Sequence, residues 1–155
     1  MLLTPHVLVG ASIGALTDNL ALIILLAFVS HFVLDMLPHA DWGMWHSYEK
    51  NFKLTLKDYI LVAIDILGVL IFTYVLWNNA DRNNNILIGA FFAILVDLID
   101  NVPFWKNYFR KLPIFSQMHQ LHVRIHYQLD KKYWIWGVVT QIIIIAICFV
   151  YVNNS

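Results

Sequence analysis

The chain has 155 residues, 60% of them hydrophobic and 13% charged, against roughly a quarter charged in an average soluble domain. A water-soluble fold of this size could not hide so much apolar surface, and the formal net charge of zero provides no basic field to draw nucleic acid, which is not expected as a partner. The single cysteine, Cys148, lies inside the last apolar run, which rules out an intrachain disulfide and a cysteine-based zinc knuckle and makes it a small apolar filler.

The pattern predicts an all-α fold, a single integral membrane domain over residues 1–155 built as a polytopic bundle of four to five transmembrane helices plus a cytoplasmic-side surface helix. The first helix is expected over about 2–16. Its start lacks a basic region, so the segment is expected to stay in the mature protein. At about 1.5 Å per residue it covers about 20 Å, less than the roughly 30 Å of a bilayer core, so it crosses a thinned region or forms one arm of a hairpin. Gly10 and Gly14, with Ala11 and Ala15 beside them, make a small-residue face for close helix approach. The second helix, about 20–37 and reached through the short turn Thr17-Asp18-Asn19, is the expected partner. Pro38 ends it.

A polar stretch leads to a third helix over about 59–77, and a short fourth follows over about 86–99. The next polar stretch, 101–133, contains a surface helix over about 114–129, bounded by Pro113 and mixing Phe115, Met118, Leu121 and Ile125 with histidines. The last helix, about 134–152, is uncharged from end to end and opens on Trp134 and Trp136 as interfacial anchors.

Lysine and arginine sort the loops by side, because cytoplasmic loops near helix ends are enriched in both. Lys50, Lys53 and Lys57 follow the second helix, and Lys106, Arg110, Lys111, Arg124, Lys131 and Lys132 follow the fourth, while Arg82 stands alone opposite. Both long loops are therefore expected inside and the N-terminus is cytoplasmic. On that topology all seven histidines, His46 included, fall on one side.

Depth then groups the ionisable residues. His6 lies one turn into the first helix, and His31 and Asp35 occupy the last turns of the second, spaced so that both share one helical face. His39 and Asp41 follow at once, Asp65 is two turns into the third helix, Asp97 and Asp100 close the fourth, and His119, His122 and His126 lie on the surface helix. Neutral imidazole and carboxylate are ligands for zinc, manganese or iron. Charges in apolar helices cost about 2.5 to 3.5 kcal/mol at the helix centre on insertion scales, so Asp35, Asp65 and Asp97 call for a partner or a wet cavity. Taken singly, each histidine is an ordinary packing residue and Asp41, Asp100 and His46 are ordinary solvated caps. Convergence from four helices and two loops raises the joint reading, a shallow metal-binding polar cavity of His6, His31, Asp35, His39, Asp41, Asp65 and Asp97 roofed by His122 and His126. The expected ion is divalent, zinc ahead of manganese.

Thr4-Pro5-His6 followed by Gly10 and Gly14, then Ser30-His31-Phe32-Val33-Leu34-Asp35-Met36-Leu37-Pro38-His39-Ala40-Asp41, resembles the YdjM-like family of inner-membrane proteins, most closely over residues 1–42. That family is described as metal-dependent hydrolases, with phospholipids a suggested substrate, and some members as LexA-binding. The resemblance implies His6, His31, Asp35, His39 and Asp41 as metal-site residues, and Leu95 to Asp100 is similar to the family's Pro-Asp-x-Asp segment. It departs from the family where His-Arg-Gly and Thr-His-Ser are absent and His122, Arg124 and His126 stand instead. The implied function is hydrolysis of a phospholipid or lipid-linked phosphoester at the inner leaflet of a bacterial cytoplasmic membrane, multi-pass, with membrane lipid as substrate or solvent. Asp35, His39 and Asp97 are the candidates for catalytic work and Arg124 for holding the headgroup. Rival readings are a divalent metal or proton carrier and a non-catalytic membrane adaptor. A protein partner and the oligomeric state are not read from the sequence.

Overall fold

A computed structural model describes residues 1–41 and 55–153; His46, Lys50 and Lys53 lie outside the described residues. The described chain is all-helical: α1 (Leu3–Leu16), α2 (Leu20–Asp35), α3 (Leu56–Asn79), α4 (Asn84–Asp100), the short α5 (Lys106–Phe109), α6 (Pro113–Ile125) and α7 (Trp134–Asn153), the last entered through one 3-10 turn at Lys131–Tyr133. Two of these, α3 over 24 residues and α7 over Trp134–Val152, are long and apolar enough to cross a membrane. By the same measure α1, α2 and α4 are shorter, at 14, 16 and 17 residues.

Local chemistry explains the boundaries. α3 begins three residues earlier than its apolar run because Thr55 and Asp58 form a reciprocal capping box. Asn19 caps α2 through Leu22 and Asn83 caps α4 through Asn85, and Pro113 opens α6, where its missing N–H costs nothing. α1 has no side-chain cap of its own. Asp65 of α3 supplies one: its carboxylate accepts from Leu3 N at 2.7 Å, Thr4 N at 3.1 Å and Thr4 Oγ1 at 2.6 Å.

α1 is the hub, packed against α2, α3, α4 and α7. Its small-residue face meets α4, not the α2 that sequence proximity suggests. A methyl group at Gly10 would collide with the Gly89 carbonyl and the Ala93 side chain, and one at Gly14 with Asn85. α4 carries the complementary small positions, Gly89 and Ala93, so the two backbones touch. Val7, Leu8, Ala11, Leu76, Ile86, Ala90, Cys148 and Val152 form the buried core beyond the polar cluster, with Cys148 in the filler role expected of it.

α6 stops at Ile125, short of the expected 129. Residues beyond it run extended beside the exit of α2: Tyr127 N donates to Asp35 O at 2.8 Å and Leu129 N to His39 O at 2.9 Å, with Gln128 bridged to His39. Carbonyls left free from the end of α2 at Asp35, two residues before the expected 37, thus take amides that a longer α6 would have kept.

Candidate metal centre

Asp35, in the last turn of α2 and 1% exposed, is the centre of the cluster. Its Oδ2 lies 2.8 Å from His122 Nε2 and 3.2 Å from His31 Nε2, and its Oδ1 lies 3.3 Å from His6 Nε2 and 3.7 Å from His126 Nε2. The i, i+4 pairing of His31 with Asp35 read from the sequence is therefore present. The His6 and His31 rings stack with centroids 4.2 Å apart, brought together because α1 and α2 both pack on α4.

Two histidines are oriented from behind. His31 Nδ1 donates to the Ala93 carbonyl and His39 Nδ1 to the Leu37 carbonyl, each at 2.8 Å. A carbonyl only accepts, so each Nδ1 carries a proton, and in the neutral ring the lone pair then sits on Nε2, which faces the cluster in the tautomer a metal ligand needs. Both nitrogens of His6, Nε2 of His31, Oδ1 of Asp41 and Nδ1 of His126 are buried with no hydrogen-bond partner. Several of these atoms lie 3.2 to 3.3 Å from the Asp35 carboxylate or the Met1 amino group, close in distance but without hydrogen-bond geometry. Buried polar atoms left in that state normally cost about 1–3 kcal/mol each, which a shared cation would offset.

Three groups of donors each lie within 4.8 Å of one another: His6, His31 and Asp97; His31, Asp35 and His122; and Asp35, His39 and His126. Asp41 joins the last, its Oδ2 3.3 Å from His39 Nε2 and 3.4 Å from His126 Nε2. The donor chemistry of imidazole and carboxylate fits a divalent first-row ion, though it does not choose one. The Met1 amino group also lies here, 2.7 Å from Asp35 Oδ1 and 3.3 Å from Asp41 Oδ1. Burial would lower its pKa, but Asp41, Asp35 and Asp97 outweigh that and raise it to about 10.

Of the residues singled out in the sequence, the structure brings together His6, His31, Asp35, His39, Asp41, Asp97, His122 and His126. Asp65 stands apart, both its oxygens engaged in capping α1. Arg124 is exposed. His126 reaches the cluster as the first residue past α6, with extended backbone, and not from within the surface helix on which it was expected.

Other residues complete the surroundings. Asp100 gathers Arg110 Nε at 2.7 Å, His119 Nδ1 at 2.8 Å and His122 Nδ1 at 3.3 Å, so His122 is held between two carboxylates. Burial would lower the His122 pKa, yet the hydrogen bonds to Asp100 and Asp35 prevail and raise it to about 9. His126, by contrast, is lowered to about 4 by burial and by the nearby amino group. Asp41 is pushed up by burial but more strongly down by the amino group, His39 and His126, and rests below the usual carboxylate range.

Asn101 donates to Asp97 Oδ1 at 2.7 Å. Gln141 of α7 accepts from Leu2 N at 3.0 Å and donates to the Ala40 carbonyl at 2.8 Å. Both had signals in the sequence: Asn101 follows Asp97 by one helical turn, and Gln141 is a buried-type amide inside an uncharged apolar run. Comparison with family models, with curated proteins and with solved structures found no match.

Proposed function

We propose that the chain is a metal-dependent hydrolase of the bacterial cytoplasmic membrane, acting on a phospholipid or lipid-linked phosphoester at the inner leaflet, as the resemblance to the YdjM-like family implies. In this reading α1, α2 and α4 join α3 and α7 as spans, the N-terminus is cytoplasmic and α6 lies along the inner surface. One observation carries the proposal: imidazole and carboxylate atoms from α1, α2, α4 and the α6 exit converge in a buried cluster with several of them lacking hydrogen-bond partners. A divalent ion, zinc ahead of manganese, would supply a water of near-neutral pKa and Lewis acidity towards a phosphoryl oxygen.

The chain's own residues have separable tasks. His6, His31, Asp35 and His122 would hold the ion, His122 giving up its Nε2 proton to do so, and the Ala93 carbonyl fixes the direction of His31. Asp97, with Oδ1 steadied by Asn101, takes the proton of the attacking water through its other oxygen, with His39 as the alternative base. Arg124, exposed on α6, meets a phosphate headgroup. The carrier reading is weaker, because the buried core that adjoins the cluster, Val7, Leu8, Ala11, Leu76, Ile86, Ala90, Cys148 and Val152, supplies no imidazole or carboxylate to continue a path.

Metal analysis of the purified protein tests the proposal first. Wild type should retain a divalent ion and His31→Ala and Asp35→Ala should lose most of it; unchanged content in both variants, or none in wild type, sinks the metal centre. Hydrolysis of a panel of phospholipids and lipid phosphates in mixed micelles then tests the enzyme. A loaded protein that turns over none of them but conducts ions in proteoliposomes would make it a carrier.

A further inference from the structure

The donors outnumber what one ion can use. Five imidazoles and three carboxylates meet in the cluster, whereas zinc is almost always held by four ligands and octahedral ions by six. The donor groups also divide. His6, His31 and Asp97 share no member with Asp35, His39 and His126, and the six are not grouped as mutually close donors.

The second group has the sharper geometry. His39 Nε2, His126 Nε2 and Asp41 Oδ2 form a nearly equilateral triangle with sides of 3.3, 3.3 and 3.4 Å. Ligands at about 2.0–2.1 Å from a tetrahedral zinc stand about 3.3 Å apart, so these three atoms have the spacing of one face of such a polyhedron. His39 Nδ1 carries a proton that goes to Leu37 O, so the neutral ring presents its lone pair on Nε2. Asp41, 6% exposed, keeps Oδ1 buried without a hydrogen-bond partner.

We infer that the cluster has two cation positions, one on either side of the Asp35 carboxylate, the second held by His39, Asp41 and His126, which leaves the general-base role to Asp97. Asp35 is shaped for sharing: Oδ2 faces His31 and His122 while Oδ1 faces His6 and His126. Two ions about 3.5–4 Å apart are the arrangement that clamps both the attacking and the leaving oxygen in phosphoester hydrolysis, so within the proposed substrates the inference narrows the bond cleaved to a phosphoester rather than a carboxylic ester. It rests on the reading of the cluster as a metal centre.

The experiment is metal stoichiometry on the full chain in detergent, loaded with Zn²⁺ and freed of excess, together with electron paramagnetic resonance after loading with Mn²⁺. Two ions per chain and an exchange-coupled manganese spectrum are expected, falling to one ion and an uncoupled spectrum in His126→Gln and in Asp41→Asn. A wild type that binds one ion, with an uncoupled spectrum, overturns the second position and leaves the metal centre standing; a wild type that binds none overturns both. Retention of two ions by both variants overturns the assignment of ligands. The wild-type measurements need no variant to fold.

Discussion

Asp35 and Asp65 look alike in the sequence, each a lone carboxylate within an apolar helix, and their partners separate them. Asp35 faces four imidazoles, whereas Asp65 accepts from the first amides of α1 and so behaves as a helix cap borrowed from a neighbouring chain segment. Asp65→Ala should therefore leave metal content at the wild-type level while lowering stability by about 0.5–2 kcal/mol, the usual cost of a lost N-cap. Metal analysis beside thermal unfolding in detergent checks this, and loss of metal without loss of stability would return Asp65 to the site. Depth along a helix is legible in sequence and drew His6, His31, Asp35 and Asp97 together. Rotation about the helix axis relative to distant segments is not, so the sequence pattern alone does not separate Asp65 from them. Asp100 was legible only as a helix end; its role in holding Arg110, His119 and His122 depends on where the α4 to α6 connection folds back.

At the level of elements, the glycines carry the same lesson. Gly10 and Gly14 announce a close approach, and the approach occurs, but with α4, whose Gly89 and Ala93 offer the matching hollow. A small face is written in one helix; its partner is decided by a second small face far along the chain. Gly137 of α7 works in the same way on the site itself. A methyl group there would meet Ala40 N and the His39 carbonyl carbon, and one turn later Gln141 holds the Ala40 carbonyl, so α7 is the wall against which His39 rests. Gly137→Ala is expected to push the 39–40 segment off α7, destabilising the protein by about 1–3 kcal/mol as overpacked contacts do, and to weaken metal binding at least tenfold although residue 137 touches no donor atom. Titration with a zinc-competing chelator measures the affinity; wild-type affinity would mean that His39 is held by its Leu37 bond alone.

Across the whole molecule, the length of α1 conflicts with a simple bundle of lipid-facing spans. Its 14 residues reach about 21 Å, short of a roughly 30 Å hydrocarbon core, yet it carries Thr4, His6 and Ser12 buried. Both facts make sense for a helix enclosed by α2, α3, α4 and α7, since an enclosed helix need not match the bilayer and its polar groups find partners in protein. α3 is the opposite case: its 24 residues reach about 36 Å, and only 6% of its apolar window is buried. Ile64, Leu67, Leu70, Ile71 and Tyr74 all point outward, an apolar face far larger than a soluble protein leaves bare. A membrane-partitioning photoreactive probe should therefore label α3 heavily and α7 on its Ile142, Ile143 and Ile147 side, while α1 stays unlabelled in the folded protein and becomes labelled after unfolding in detergent. Peptide mapping by mass spectrometry reads the result. Heavy labelling of α1 in the folded state would place it at the lipid boundary and remove the enclosure that shelters His6 and the cluster around Asp35.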